Sequence, residues 1–169
     1  MERRQIHEEE LQYLFNLIGE AIWHSQHVEQ ALHTFVTLKK DIKVRGSVTP
    51  EAGERLFDKN QRKPLGVSLK ASREAGVLSS SLQDRAEAFK EERNWLIHWC
   101  VPSSGADLYL DTTRFPLMER IKRLTIEART IHGLIAEEIE AFVCSQGVSK
   151  KWIMETAMET IRKLKGERN

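Results

Sequence analysis

Two long stretches of the chain place apolar residues at steps of three and four, and this spacing constrains the fold most. A repeat near 3.6 residues puts such side chains on one face of a helix, and that face must be buried. The apolar faces are Leu11, Leu14, Phe15, Ile18, Ile22, Leu32 and Val36 in the first helix and Leu117, Ile121, Leu124, Ala128, Ile131, Ile135, Ile139 and Phe142 in the second. Strong strand candidates are absent, so the sequence predicts an all-α helical bundle.

Shorter helices are predicted between and after the two long ones. A proline in the first turn and a glycine after the last turn are typical of helix ends. They indicate short connecting helices over 50–57 and 64–76. A middle-length helix is predicted over 82–100, whereas residues 107–114 alternate enough for one brief strand or an ordered loop. A C-terminal helix follows Gly147.

Length and charge narrow the classes of protein that fit. We expect one helical bundle over residues 1–146, with residues 147–169 forming an amphipathic helix packed on it or extending from it. The 26 Lys and Arg balance 25 Asp and Glu to a net charge of +1, which excludes a globally basic nucleic-acid coat but not a local basic patch. With no apolar run of about 20 residues, no secretory signal and no CxxC motif, a cytoplasmic protein without a membrane anchor is expected.

Two charged residues fall within these apolar faces. On a helical wheel of about 100° per residue, Arg93 lies in the middle of the face of helix 82–100. Glu29 lies on the centre line of the first helix, with His33 about 40° away. An unpaired buried guanidinium is prohibitively costly, so the pattern predicts an ion pair between Glu29 and Arg93. Such a pair either anchors the fold alone or also prepares a site.

The residues from Arg93 to His98 form the pattern R-N-x-x-x-H late in an amphipathic helix. Asn94 and His98 lie about 100° and 140° from Arg93 on the wheel, just beyond the apolar face. Residues Lys63–Leu69 match the element K-x-L-G-x-x-L, and a long helix precedes it. This combination resembles the HEPN domains, a superfamily of small helical bundles, over roughly residues 8–145. Residues 147–169 lie outside the resemblance.

The resemblance implies a function and a site. HEPN domains commonly form homodimers whose motif helices face each other, and many are metal-independent endoribonucleases of toxin or antiviral systems. Others are inactive and bind partners. By position, Arg93 and His98 would be the catalytic pair and Asn94 the supporting polar residue, acting on RNA without metal or cofactor. An antitoxin or another partner protein would fit such a system.

The chemistry of these side chains agrees with that implication. Imidazoles titrate near neutral pH, so His98 can act as base or acid, and Arg93 can stabilise charge on a phosphate. Glu29 and His33 are expected as supporting residues. The first hypothesis is thus a dimeric endoribonuclease, and the alternative is a non-catalytic module that binds a partner protein or a nucleotide. The third is a plain helical bundle in which Arg93 only anchors Glu29.

Other residues were expected to be structural. Trp95 and Trp99 lie beyond His98 on the wheel, and we expect both to pack beneath another helix. His24 and His27 form an HxxH pair, but no HExxH motif accompanies it, so a metal site is not expected there.

Overall fold

The computed structural model describes residues 6–166, and no strand occurs among them. The predicted all-α bundle is confirmed. The helices are α1 (Glu8–Val36), α2 (Pro50–Gln61), α3 (Leu65–Ala75), α4 (Ser80–Asn94), α5 (Cys100–Ser104), α6 (Asp111–Ser145) and α7 (Lys150–Leu164). π-helical turns over Thr37–Ile42 and Trp95–Trp99 extend α1 and α4, and a 3₁₀ turn spans Gly105–Tyr109.

The long helices α1 and α6 lie side by side and run in the same direction. Glu20 pairs with Arg129 at 2.8 Å, and farther along both helices the Phe35 ring lies 6.0 Å from that of Phe142. Most of the apolar residues that set the helical period fill the space between these helices and α3 and α4. Phe15 is the exception, because its side chain is 55% exposed rather than buried as predicted. Ala21, Leu32, Ile121, Ala128, Ile131 and Ile135 are all fully buried.

Helix α4 packs on α6 in the opposite direction. Arg85, near the start of α4, contacts Glu127 of α6, whereas Glu92, near the end of α4, contacts Arg120. Later residues of α4 thus meet earlier residues of α6, so the two helices are antiparallel. Gly76 ends α3 in the left-handed conformation, with φ of 56°, as glycine readily does. This turn lets α4 pack back against α3 and brings the end of α4 to the face of α1 that carries Glu29.

The strand that was one alternative for residues 107–114 is wrong, because these residues form the end of the 3₁₀ turn, a single connecting residue and the start of α6. The physical reason is Arg114, whose side chain is 0% exposed and donates to the Leu108 backbone oxygen at 2.7 Å. Thr113 also donates to the Asp107 carbonyl. These bonds fold the segment back on itself. The helix predicted over 82–100 continues further than expected, to Ser104, since Pro102 lies in the first turn of α5 and loses no hydrogen bond there.

Helix α7 follows the turn at Gly147, where φ is 83°, and Ser149 caps it by accepting from the Trp152 backbone at 3.1 Å. Its apolar residues are less buried than a packed helix would require: Ile153 is half-buried and Leu164 is 82% exposed. The division of the chain at residue 147 stays a prediction. Across residues 6–166, no helix combines the length and the apolar composition needed to cross a membrane.

Candidate functional site

The end of α4 meets the middle of α1 through an ion pair. Arg93 Nη2 lies 2.7 Å from Glu29 Oε1, which confirms the predicted cross-helix pair. The contact lacks the alignment of a hydrogen bond, because Glu29 Oε1 has no hydrogen-bond partner among the described residues. The two side chains are 23% and 19% exposed, so they lie at the edge of the apolar faces rather than at their centres, as the wheel had placed them. The guanidinium is therefore held but still reached by solvent.

Asn94 also acts on this guanidinium. Arg93 Nη1 donates to Asn94 Oδ1 at 3.2 Å. Because the guanidinium has five N–H groups, the ion pair and this bond leave one on each Nη free for a further acceptor. Asn94 thus helps to orient Arg93 in this structure.

The π-helical turn changes the relation between Arg93 and His98. In a π-helix the backbone N–H bonds to the carbonyl five residues back, so residues five apart approach the same side. Residues 95–99 adopt this geometry. Arg93 lies before this turn and His98 lies within it, so the angle between them departs from the 140° of a regular α-helix. His98 itself is exposed and has no hydrogen-bond partner among residues 6–166. π-turns inside α-helices are frequent at functional sites.

His33 lies one turn beyond Glu29 on α1 and is only 4% exposed. Burial lowers the pKa of its imidazole, while the Glu29 carboxylate and a hydrogen bond to the Lys63 backbone raise it in part. The side chain therefore stays neutral at neutral pH. Sequence reasoning named His33 as a supporting residue, and the structure places it beside the carboxylate that holds Arg93.

A buried polar network that was not predicted connects His33 to the turn before α3. Lys63 Nζ donates to Asn60 Oδ1 at 2.5 Å, and Asn60 Nδ2 donates at 2.7 Å to both Thr37 Oγ1 and Asp41 Oδ2. Thr37 and Asp41 lie in the π-helical turn that extends α1 beyond His33. Their partners come from Asn60 at the end of α2 and from Lys63 in the turn after it, and the placement of both depends on the whole fold.

Trp95 and Trp99 have different surroundings. The Arg120 guanidinium lies 3.5 Å from the centroid of the Trp95 ring, and Trp95 Nε1 donates to Ser103 Oγ at 3.2 Å. Trp95 is therefore half-buried, near its expected position. The expectation for Trp99 is wrong, because its side chain is 62% exposed. No helix among the described residues covers it.

The exposed side of the π-turn is apolar around the histidine. Ile97, Trp99 and Val101 are large exposed apolar side chains on either side of His98. We call these four residues the motif surface. Exposed apolar patches of this kind are typical of surfaces that bind another protein.

A groove beside the motif is lined by the helix ends of α4, α5 and α6. Trp95, Ser104, Arg120 and Arg123 line this space of about 350 Å³. Arg120 already pairs with Glu92, whereas Arg123 is exposed. The groove therefore carries an exposed guanidinium close to the motif.

The HxxH pair on α1 does not form part of this site. His24 Nε2 accepts from Arg129 Nε at 3.0 Å, and the His24 and His27 rings lie 6.1 Å apart. Within the described residues, no three His, Cys, Asp or Glu side chains are placed to hold a metal ion together.

Comparisons of the chain with protein-family models, with curated proteins and with solved structures give no match.

Proposed function

We propose that the protein is a HEPN-like endoribonuclease that cleaves RNA without a metal ion, as part of a bacterial toxin or defence system. The observation that carries this proposal is the pairing of two features on one helix. Arg93 is fixed by Glu29 yet keeps free N–H groups, and His98 is exposed on the π-turn that follows Arg93 in the chain. A fixed cation and a titratable base are the groups that cleavage of RNA through its own 2′-hydroxyl requires.

The proposed active unit is a homodimer whose motif surfaces face each other. A two-fold axis that passes beside His98 brings that residue near its own copy, so the two His98 side chains would share one cleft. One imidazole accepts the 2′-hydroxyl proton as the 2′-oxygen attacks phosphorus, and the other protonates the departing 5′-oxygen. The products are a 2′,3′-cyclic phosphate and a free 5′-hydroxyl. Arg93 stabilises the added negative charge on the phosphate oxygens.

The second candidate function is a non-catalytic HEPN-like module that binds a partner protein or a nucleotide. The distribution of charge favours it. Glu29 neutralises Arg93, and acidic partners likewise neutralise Arg85 and Arg120. RNA binding depends strongly on unpaired basic residues, and the net charge of the chain is only +1. A module of this kind would use the motif surface for its partner.

The products of an RNA incubation separate the two candidates. Purified protein is incubated with labelled single-stranded RNA in excess chelator, and the new ends are analysed. The endoribonuclease produces 2′,3′-cyclic phosphate or 3′-phosphate ends at the same rate with and without chelator. Intact RNA under all conditions, or cleavage that the chelator abolishes, contradicts the metal-independent enzyme.

A further inference from the structure

Glu29 lies between two basic side chains, only one of which it holds in this structure. Arg93 contacts the carboxylate directly, and His33 lies one turn away on the same helix and is subject to its charge. Two buried nitrogen atoms at this junction, His33 Nε2 and Arg93 Nε, have no hydrogen-bond partner among the described residues. Unsatisfied buried polar atoms are rare in folded proteins, and each one requires a physical explanation.

The charges that act on His33 are few. Glu29 on its own helix favours the protonated form, and the Lys63 ammonium on the turn before α3 opposes it. The Arg93 guanidinium on α4 pairs with Glu29, so it affects His33 only through that carboxylate. Burial has the largest effect on the pKa of His33 and lowers it. The imidazole therefore takes up a proton only at a lower pH than a free histidine does.

Protonation changes what His33 can bind. A neutral imidazole has one N–H, and its other nitrogen only accepts. The protonated ring donates from both nitrogens, so Nε2 gains an N–H for which Glu29 supplies the acceptor. Hydrogen bonds between ionised groups are roughly twice as strong as neutral ones. A protonated His33 therefore competes with Arg93 for one carboxylate.

We propose that His33 is a positioning residue: while it is neutral, Glu29 holds Arg93 alone, and its protonation draws Glu29 away and releases Arg93. The consequence for RNA cleavage rests on the proposed function, since a released Arg93 no longer faces the phosphate. The coupling between the three side chains does not depend on that function. His33 would thus set the acidic limit of the site without touching the substrate.

Nuclear magnetic resonance of ¹⁵N-labelled protein between pH 5 and 8 tests this coupling. We expect the Arg93 Nε–H resonance to shift with the same midpoint as the His33 ring, and in His33→Gln we expect that shift to disappear. His132→Gln is the matched control, because desolvation and the nearby His27 and His24 also lower the pKa of this α6 histidine. It should leave the Arg93 titration unchanged. An Arg93 resonance that stays constant in the wild type, or that still titrates in His33→Gln, overturns the proposal.

A second variant covers the case in which His33→Gln does not fold. Because the Glu29 carboxylate raises the pKa of His33, Glu29→Gln should move the His33 titration to lower pH and abolish the accompanying Arg93 shift. A His33 titration that Glu29→Gln leaves unchanged overturns the proposal. Neither measurement uses RNA, so an inactive protein with a coupled titration refutes the endoribonuclease alone. An active protein with an uncoupled titration refutes only the role of His33.

Discussion

Replacing Arg93 by alanine should destabilise the protein, because it leaves the Glu29 carboxylate four-fifths buried without a cation. Two unit charges about 4 Å apart attract by about 4 kcal/mol at an effective dielectric constant of about 20. The desolvation of both groups offsets part of this attraction. Exposed pairs contribute about 0.2–1 kcal/mol, and breaking a fully buried pair costs about 3–5 kcal/mol. Since both side chains keep about a fifth of their exposure, we expect Arg93→Ala to cost about 2 kcal/mol.

Urea and thermal unfolding of a double-mutant cycle measure this cost. For a chain of this size, 2 kcal/mol corresponds to a fall of about 4–8 °C in Tm. The combination of Glu29→Gln with Arg93→Met removes both charges and nearly conserves volume, so it should recover part of the loss. We expect a coupling energy of about 1–2 kcal/mol between positions 29 and 93.

The pair between Arg85 and Glu127 provides the matched control. It also joins two helices, and Arg85 donates to both carboxylate oxygens, but the two side chains are more exposed. Its coupling energy should lie within about 0.2–1 kcal/mol. If the cycle at Glu29 and Arg93 gives no larger coupling than this control, the ion pair does not fix Arg93 as described.

Further predictions concern the motif surface, acid stability and the catalytic histidine. The wild type should sediment as a dimer at micromolar concentration and Val101→Asp as a monomer; a monomeric wild type contradicts the proposed interface. Because burial lowers the pKa of His33, its contribution to stability is full above about pH 6.5 and declines as the pH falls from there to the pKa of the folded state. Unfolding midpoints of wild type and His33→Gln between pH 5 and 8 test this, and parallel profiles refute it. His98→Ala should change the free energy of unfolding by less than about 1 kcal/mol, since the side chain is exposed, and a larger loss in urea unfolding contradicts that placement.

The long helices and the ion pair could be predicted because both depend on the period of one helix. A charged residue within an apolar face needs a partner, and Glu29 and Arg93 were the two that met this condition. The helical period also overstated the burial of Glu29 and Arg93. A helical wheel predicts that every residue on the centre line is fully buried, although both of these side chains remain about a fifth exposed.

The π-turn and the buried network could not be predicted from the period. A helical wheel assumes one angle per residue, so the 140° that it gives between Arg93 and His98 does not hold across the π-turn. A change from four- to five-residue hydrogen bonding breaks that assumption without a local signal in the sequence. Likewise, Asn60 at the end of α2 bonds to Thr37 only because α2 packs against the π-helical turn that follows α1.

The rate of RNA cleavage by four proteins tests the central claim most directly. Wild type, Arg93→Ala, His98→Ala and His7→Ala are compared on one RNA in excess chelator, with His7 serving as an exposed histidine at the start of α1. We predict cleavage by the wild type and His7→Ala, and a loss of at least about a hundredfold in the other two, as is typical when an acid–base or charge-stabilising group is removed. A folded His98→Ala protein that cleaves RNA at the wild-type rate would contradict the assignment of His98 and, with it, the proposed mechanism.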